Sequence, residues 1–285
     1  MSTFSTTVVD EERYPLSEPG GAAWQQVVAR TRAQLRTLGC SVLPGFVRPA
    51  AVTALRAECA SVAPLAYFDV ETVNAYNTAP DAALPADHPG HVTMQRGNAF
   101  VPRDRIPAGF VIHQLYDSEL FQRFVADCFE LPGLYQLADP LAGLCLNVIR
   151  PGLEHPWHFD TNEFTVSMVT QQPQAGGMFE YCPNIRSARE ENFAAVADVL
   201  AGRAGQLIRP LALRPGDLQL FAGRYSLHRV SRVEGQAERH SAIFAYCERP
   251  GVVGTVARTR QLFGRVLPEH RAAQDRSVRV DQLLD

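Results

Sequence analysis

The chain has 285 residues, a net charge of −3 and 46% apolar residues. That length suits one large domain or two small ones, and the apolar content excludes wholesale disorder. All 27 basic residues are arginine, and they form no basic stripe that would suit nucleic acid. The six cysteines are scattered without a C-x-x-C pair, which argues against a zinc knuckle. The first residues lack a basic start followed by an apolar run, and no stretch of about 18 apolar residues offers a membrane span. The expectation is a cytoplasmic protein with reduced thiols.

Residues 1–21 are polar, with Pro15, Pro19 and Gly20-Gly21, and read as a loose arm. Trp24, Val27, Val28, Leu35 and Leu38 recur at helical spacing, so a helix is predicted over 22–38 and ends at Gly39. A short strand follows from Cys40, and Pro49 opens a second helix. Residues 67–107 are rich in Pro, Asn, Asp and Gly and read as long loops with a few short strands. An amphipathic helix covers 117–129 through Leu120, Phe121, Phe124, Val125 and Cys128. After Pro140, β-branched and aromatic runs over 144–149, 163–170, 178–182, 206–213, 218–221 and 241–247 predict strands. Ser187 with Glu190 forms a capping box for a helix to about Leu200, and Pro215-Gly216-Asp217 marks a turn. A last helix falls near 258–265, ahead of a charged tail.

Helices first and many short strands later predict a mainly β fold with flanking helices, its core a jelly roll. The expected organisation is a single domain: a flexible arm over 1–21, a helical and loop support over 22–139, a jelly-roll catalytic core over 140–250, and a C-terminal helix and tail over 251–285.

The chemistry concentrates in His155-Pro-Trp-His158-Phe-Asp160-Thr-Asn. Residues i and i+2 of a strand point to the same side, so His158 and Asp160 present an imidazole and a carboxylate together. His228 adds a second imidazole. Two histidines and one carboxylate form the facial set that holds non-haem iron(II) and leaves its opposite face open. Arg239-His240-Ser241 begins the next apolar strand, where Arg239 can act as a bidentate anion clamp. Each part alone has an ordinary structural explanation; the joint spacing is what carries weight.

That joint pattern resembles the iron(II)/2-oxoglutarate-dependent dioxygenases, whose fold is a double-stranded β-helix, a jelly-roll (cupin-like) variant. The resemblance implies that His158, Asp160 and His228 bind Fe(II), that Arg239 with Ser241 binds the distal carboxylate of 2-oxoglutarate, and that O₂ is consumed. A narrower resemblance lies in Trp157-His-Phe-Asp-Thr-Asn-Glu-Phe-Thr-Val and Gly176-Gly177-Met-Phe-Glu-Tyr-Cys-Pro-Asn-Ile-Arg186. It is to the free-amino-acid radical halogenases and their hydroxylase relatives. The halogenases carry Gly where this chain has Asp160, which opens a position for chloride; Asp160 therefore implies hydroxylation. His155 matches a position that contacts the amino-acid substrate, Arg96 is a candidate for the substrate carboxylate, and Thr161 departs from the lysine-acting members, which have an acidic residue there.

The implied activity is hydroxylation of an unactivated C–H of a small polar substrate, a free amino acid or derivative, with release of succinate and CO₂. Desaturation or cyclisation by the same superfamily, a non-catalytic jelly-roll binder and a zinc hydrolase stand as alternatives. No nucleic-acid or membrane partner is expected, and a homodimer is among the expected assemblies. Trp157 suits a pocket wall or the core, while Asn147, Glu180, Asn184 and Arg229 offer further polar groups near the motif. Tyr225 and His240 read as structural.

Overall fold

The structure, a computed structural model, describes residues 7–78, 81–162, 164–273 and 283–284. Ten strands build two facing antiparallel sheets: β1 (Cys40–Leu43), β2 (Asn98–Val101), β3 (Leu144–Ile149), β4 (His155–His158), β5 (Thr165–Gln171), β6 (Phe179–Cys182), β7 (Arg209–Leu211), β8 (Leu218–Phe221), β9 (Leu227–Val230) and β10 (Arg239–Phe244). The larger sheet runs β1-β8-β5-β10-β3-β2, and the smaller runs β7-β6-β9-β4. Non-consecutive neighbours in both sheets make this the double-stranded β-helix that the sequence leads one to expect.

Alternation sorts the large sheet into two faces. Leu144, Leu146, Val148, Val166, Met168, Leu218, Leu220, Ala242 and Phe244 are buried on the outer face and pack into the main core. The helices α1 (Ala22–Leu38), α2 (Pro49–Val62), α3 (Val111–Tyr116) and α4 (Glu119–Cys128) supply the other half of that core. Each fully buried Leu or Phe contributes about 1.5–3 kcal/mol of transfer free energy, so this layer dominates the stability. Ser118 caps α4 by accepting from the Phe121 amide at 3.3 Å. The Trp24 indole donates to Asp127 Oδ2 at 2.9 Å and ties α1 to α4. The intervening residues of the same strands turn inward, toward the small sheet.

Two expectations are corrected. Residues 8–16 are no loose arm: Val8, Val9, Tyr14 and Leu16 are buried in the main core, Val9 bridges Val47, and the Tyr14 hydroxyl donates to the Pro44 carbonyl at 2.8 Å. Apolar residues inside a polar stretch found a groove beside β1 to fill. Residues 1–6 lie outside the described residues, as does most of the charged tail. Ser187 and Glu190 do not cap a helix; their backbones bond reciprocally, Ser187 N to Glu190 O at 2.9 Å and the reverse at 3.2 Å. The helix, α5 (Phe193–Leu200), starts only after Asn192, whose left-handed backbone (φ 52°) turns the chain. Near the C-terminus α6 (Val256–Phe263) is followed by a short α7 (Pro268–Ala272).

A buried polar clasp holds this C-terminal region to the strands. Asp139 accepts from the Leu141, Ala142 and Gly254 amides and from His270 Nε2, all within 2.7–3.1 Å. All six cysteines are free, and burial pushes the Cys40 and Cys59 thiols up to about 12, which keeps them unreactive. Among the described residues no helix is long and apolar enough to cross a membrane.

Candidate metal and co-substrate site

His158 ends β4, and its register partner across the small sheet is His228 on β9. Asp160 follows two residues past the strand end, anchored by its amide, which donates to the Gly223 carbonyl at 3.1 Å. One ligating atom from each of the three residues lies within 4.8 Å of the others. Asp160 Oδ1 stands 3.6 Å from His158 Nε2 and 3.4 Å from His228 Nε2.

The tautomers follow from the second ring nitrogens. His158 Nδ1 lies 2.8 Å from the Pro156 carbonyl, and His228 Nδ1 lies 2.8 Å from the Ser226 carbonyl. A carbonyl only accepts, so each Nδ1 carries a proton and each Nε2 is the nitrogen turned to Asp160. Burial, then the neighbouring His228, depresses His158 to about 4, so its imidazole is neutral at physiological pH. Burial disfavours the Asp160 carboxylate, yet the two imidazoles outweigh it and hold its pKa well below the usual range. Two imidazoles and one carboxylate therefore face a common point, which fits a divalent first-row metal.

Local packing fixes the carboxylate. The Thr165 hydroxyl donates to Asp160 Oδ2 at 2.5 Å, leaving Oδ1 for the metal. Gly223 makes the space, since a Cβ there would fall 1.9 Å from Oδ2.

The cavity over this point is enclosed by both sheets. The inner face of the large sheet contributes Asn147, Thr165, Ser167, Gln219, Phe221, Arg239, Ser241 and Ile243, and the small sheet contributes His155, Phe179 and Val230. Arg239, Ser241 and Ile243 alternate along β10 and so share one side. Arg239 Nη1 donates to Ser241 Oγ at 2.6 Å; burial lowers the guanidinium to about 10, still fully charged at neutral pH. Gly177 (φ 59°) stands against the Arg239 stem, where a Cβ would come within 3.1 Å. Asn147, register partner of Ser241, has a buried Oδ1 without a hydrogen-bond partner. It looks into the cavity instead of serving as a structural bridge.

His155 joins the site through an irregularity. His228 pairs with His158 and Val230 with His155, so β4 has one residue more than β9 over this step. That bulge, at Pro156-Trp157, turns residues three apart to one side, and the His155 and His158 rings stack with centroids 3.7 Å apart. Burial keeps His155 neutral, followed by the effects of His158 and Arg96. Thr161 and its neighbour Asn162 also line the cavity.

Arg96 does not. It is only 2% exposed, its Nη2 is ion-paired with Glu71, and it is absent from the cavity wall. Trp157 points away from the cavity into a cluster with Tyr76, Phe159, Val196 and Leu227. Arg229 lies over that Trp157 ring and pairs with Glu180 at 2.6 Å, which makes all three structural. Asn184 takes a left-handed turn, with its amide donating to Ser226 Oγ. His240 pairs with Glu238.

Sequence reasoning passed over Thr165, Ser167, Gln219 and Phe221, although alternation along their strands could have found them. It also passed over Arg258 and Leu262 on α6. A larger groove, about 1070 Å³, lies on the outer side near Arg13, Pro44 and Arg56 and contains none of the ligating groups.

A jelly roll with this ligand set between its sheets is the architecture of the iron(II)/2-oxoglutarate-dependent dioxygenase superfamily. A model of the halogenase D family matches residues 23–255, and the chain belongs to that family. No curated protein matches the sequence. Among solved structures, the chain is similar to the non-heme alpha ketoglutarate dependent carbocyclase SnoK from nogalamycin biosynthesis (TM-score 0.51, 15% identity, 76% of this chain and 82% of that one). It is similar to AviO1 from Streptomyces viridochromogenes Tue57 (TM-score 0.50, 15% identity, 79% and 96%). It is also similar to HygX from Streptomyces hygroscopicus, solved with nickel and 2-oxoglutarate bound (TM-score 0.50, 14% identity, 76% and 85%). At these identities the likeness establishes the fold.

Proposed function

We propose that the protein is an iron(II)/2-oxoglutarate-dependent oxygenase that hydroxylates an unactivated C–H of a small polar molecule, a free amino acid or derivative. The observation that carries this reading is the convergence of His158 Nε2, Asp160 Oδ1 and His228 Nε2 beside Arg239 and Ser241 in one cavity. Bound iron(II) with 2-oxoglutarate and O₂ supplies the oxidising power, releasing succinate and CO₂ as hydroxyl is delivered to carbon.

The residues divide the remaining work. His158, Asp160 and His228 hold the metal on one side and leave the other for co-substrates. Arg239, buried and without a carboxylate partner among the described residues, anchors the distal carboxylate of 2-oxoglutarate, with Ser241 fixing its fork. Phe179, Phe221, Val230 and Ile243 keep the cavity dry, so the charge–charge contacts act at low dielectric. His155, stacked on His158 and neutral, is placed to hydrogen-bond the substrate, and Thr161 borders the same space.

Asp160 decides between oxygen and halogen transfer. Its carboxylate, fixed by Thr165 and accommodated by Gly223, fills the position that a halide needs. The test is aerobic incubation with iron(II), ascorbate, 2-oxoglutarate and an amino-acid panel, following succinate. A substrate that raises succinate release and gains one oxygen atom supports the reading. A product that loses two hydrogens instead marks desaturation at the same site. Failure of every panel member to stimulate succinate would remove the amino-acid assignment.

A further inference from the structure

The cavity holds one cation that the proposed chemistry does not use. Arg258 lies on α6, beyond the residues matched by the family. Thr255 caps that helix and accepts from the Arg258 amide. Thr259 and Phe263 are buried on one side of it, and Phe263 meets Phe100 edge-on at 6.4 Å. Arg258 and Leu262, four residues apart on one helix face, then line the cavity together. The Asp139 clasp, through Gly254 and His270, fixes the segment at both ends of the helix.

The charges around this guanidinium can be assigned. Asp160 belongs to the metal and Thr165, and Arg239 belongs to the co-substrate. His155 is neutral. Arg96 and Glu71 neutralise each other as an ion pair. Among the described residues Gln261 is the hydrogen-bond partner of Arg258, and no carboxylate pairs with it. Burial, and secondly the charge of Arg96, lower the Arg258 pKa to about 10 against the opposing pull of the Asp160 and Glu71 carboxylates, so it stays protonated without a direct ion pair among the described residues. A half-buried cation that lines the cavity without a directly paired carboxylate is suited to an anion.

We propose that Arg258 anchors an anionic group of the prime substrate, and that this substrate is a small acid of net negative charge. Arg96 is ion-paired with Glu71 through Nη2 and does not line the cavity, whereas Arg258 does, so the anion-holding role expected of Arg96 falls to Arg258. A substrate with a cationic side chain would bring like charges together here. The inference rests on the oxygenase reading above for the identity of the cavity.

The test is calorimetric, on protein loaded with redox-inert nickel(II), with 2-oxoglutarate titrated first and substrate candidates second. The probes are matched acids and amides, L-aspartate with L-asparagine and L-glutamate with L-glutamine, and L-lysine as the cation. A charged hydrogen bond is worth about 10–100-fold, so the acid of a pair should bind that much more tightly than its amide. Arg258→Gln should bring acid and amide within about threefold, and Arg258→Glu should turn the preference toward lysine. The 2-oxoglutarate affinity of Arg258→Gln should change less than about threefold. An amide or lysine binding as well as the acids in the wild type would overturn the proposal. So would the absence of binding by every acid, or a loss of 2-oxoglutarate binding in Arg258→Gln. Failure of 2-oxoglutarate to bind the wild-type nickel protein at the first titration would instead strike the oxygenase reading.

Discussion

Alanine at Gly223 is expected to disable metal binding while leaving the fold intact. The new Cβ would fall 1.9 Å from Asp160 Oδ2, 2.7 Å from its Cγ and 3.0 Å from its Cβ. Carbon contacts normally sit at about 3.5–4.0 Å, so the whole carboxylate must retreat by more than about 1 Å. A metal–carboxylate bond of about 2.0–2.2 Å tolerates roughly 0.2 Å. Oδ1 is therefore lost, leaving two imidazoles. Removing a group that merely orients a ligand costs about 10–100-fold in affinity. Removing the ligand should reach at least the upper end, about 2.7 kcal/mol. The backbone at Gly223 does not need a positive φ, so alanine itself is tolerated there. Anaerobic calorimetric titration with iron(II) reads the affinity, and far-UV circular dichroism checks the fold. A folded Gly223→Ala protein that binds iron as the wild type does would refute the steric reasoning. In an Asp160→Gly background the methyl has nothing to strike, so the double variant should be no worse than Asp160→Gly alone.

Further outcomes follow from other contacts. Thr165→Val removes the donor to Asp160 Oδ2 and should weaken iron about 10-fold without loss of fold, by the same titration. Arg239→Met should raise the KM for 2-oxoglutarate by about 30-fold or more, with the KM for the prime substrate little changed, as steady-state succinate assays would show. Asp139→Ala strands four donors and should destabilise the protein by about 3–5 kcal/mol, read from urea unfolding. For the metal-free protein, His158 protonates near 4 when folded but near its ordinary 6.5 when unfolded. The unfolded chain thus takes up more protons between those values, and stability should fall as pH drops from 6.5 to 4. His158→Gln should make that slope shallower; an unchanged slope in urea midpoints against pH would contradict the assignment.

What the sequence revealed of the site follows the range of the forces involved. His158 and Asp160 were legible because alternation along a strand is local, Arg239 because it opens an apolar run, and Ser241 through the family resemblance. His155 needed more: residues three apart face opposite ways in a regular strand, and only the bulge at Pro156-Trp157 brings the ring inward. Arg96 was expected to hold a substrate carboxylate, but its pairing with Glu71, 25 residues away in sequence, is a contact that spacing does not encode. Arg258 was hidden for a similar reason. Its helix was visible, but the helix is aimed by Asp139, His270 and Phe263, all distant in sequence. The Ser187–Glu190 pair shows the opposite error, a local signature of a helix start spent instead on a tight turn. Tyr14 and Leu16 show how few apolar residues suffice to dock a segment that composition marks as loose.

The most direct test of the central claim is a crystal structure grown anaerobically with iron(II) and 2-oxoglutarate. The expected result is one ion within about 2.0–2.2 Å of His158 Nε2, Asp160 Oδ1 and His228 Nε2, with the distal carboxylate of 2-oxoglutarate on Arg239. An ion held elsewhere, a fourth protein ligand closing the open face, or 2-oxoglutarate bound away from Arg239 would contradict it.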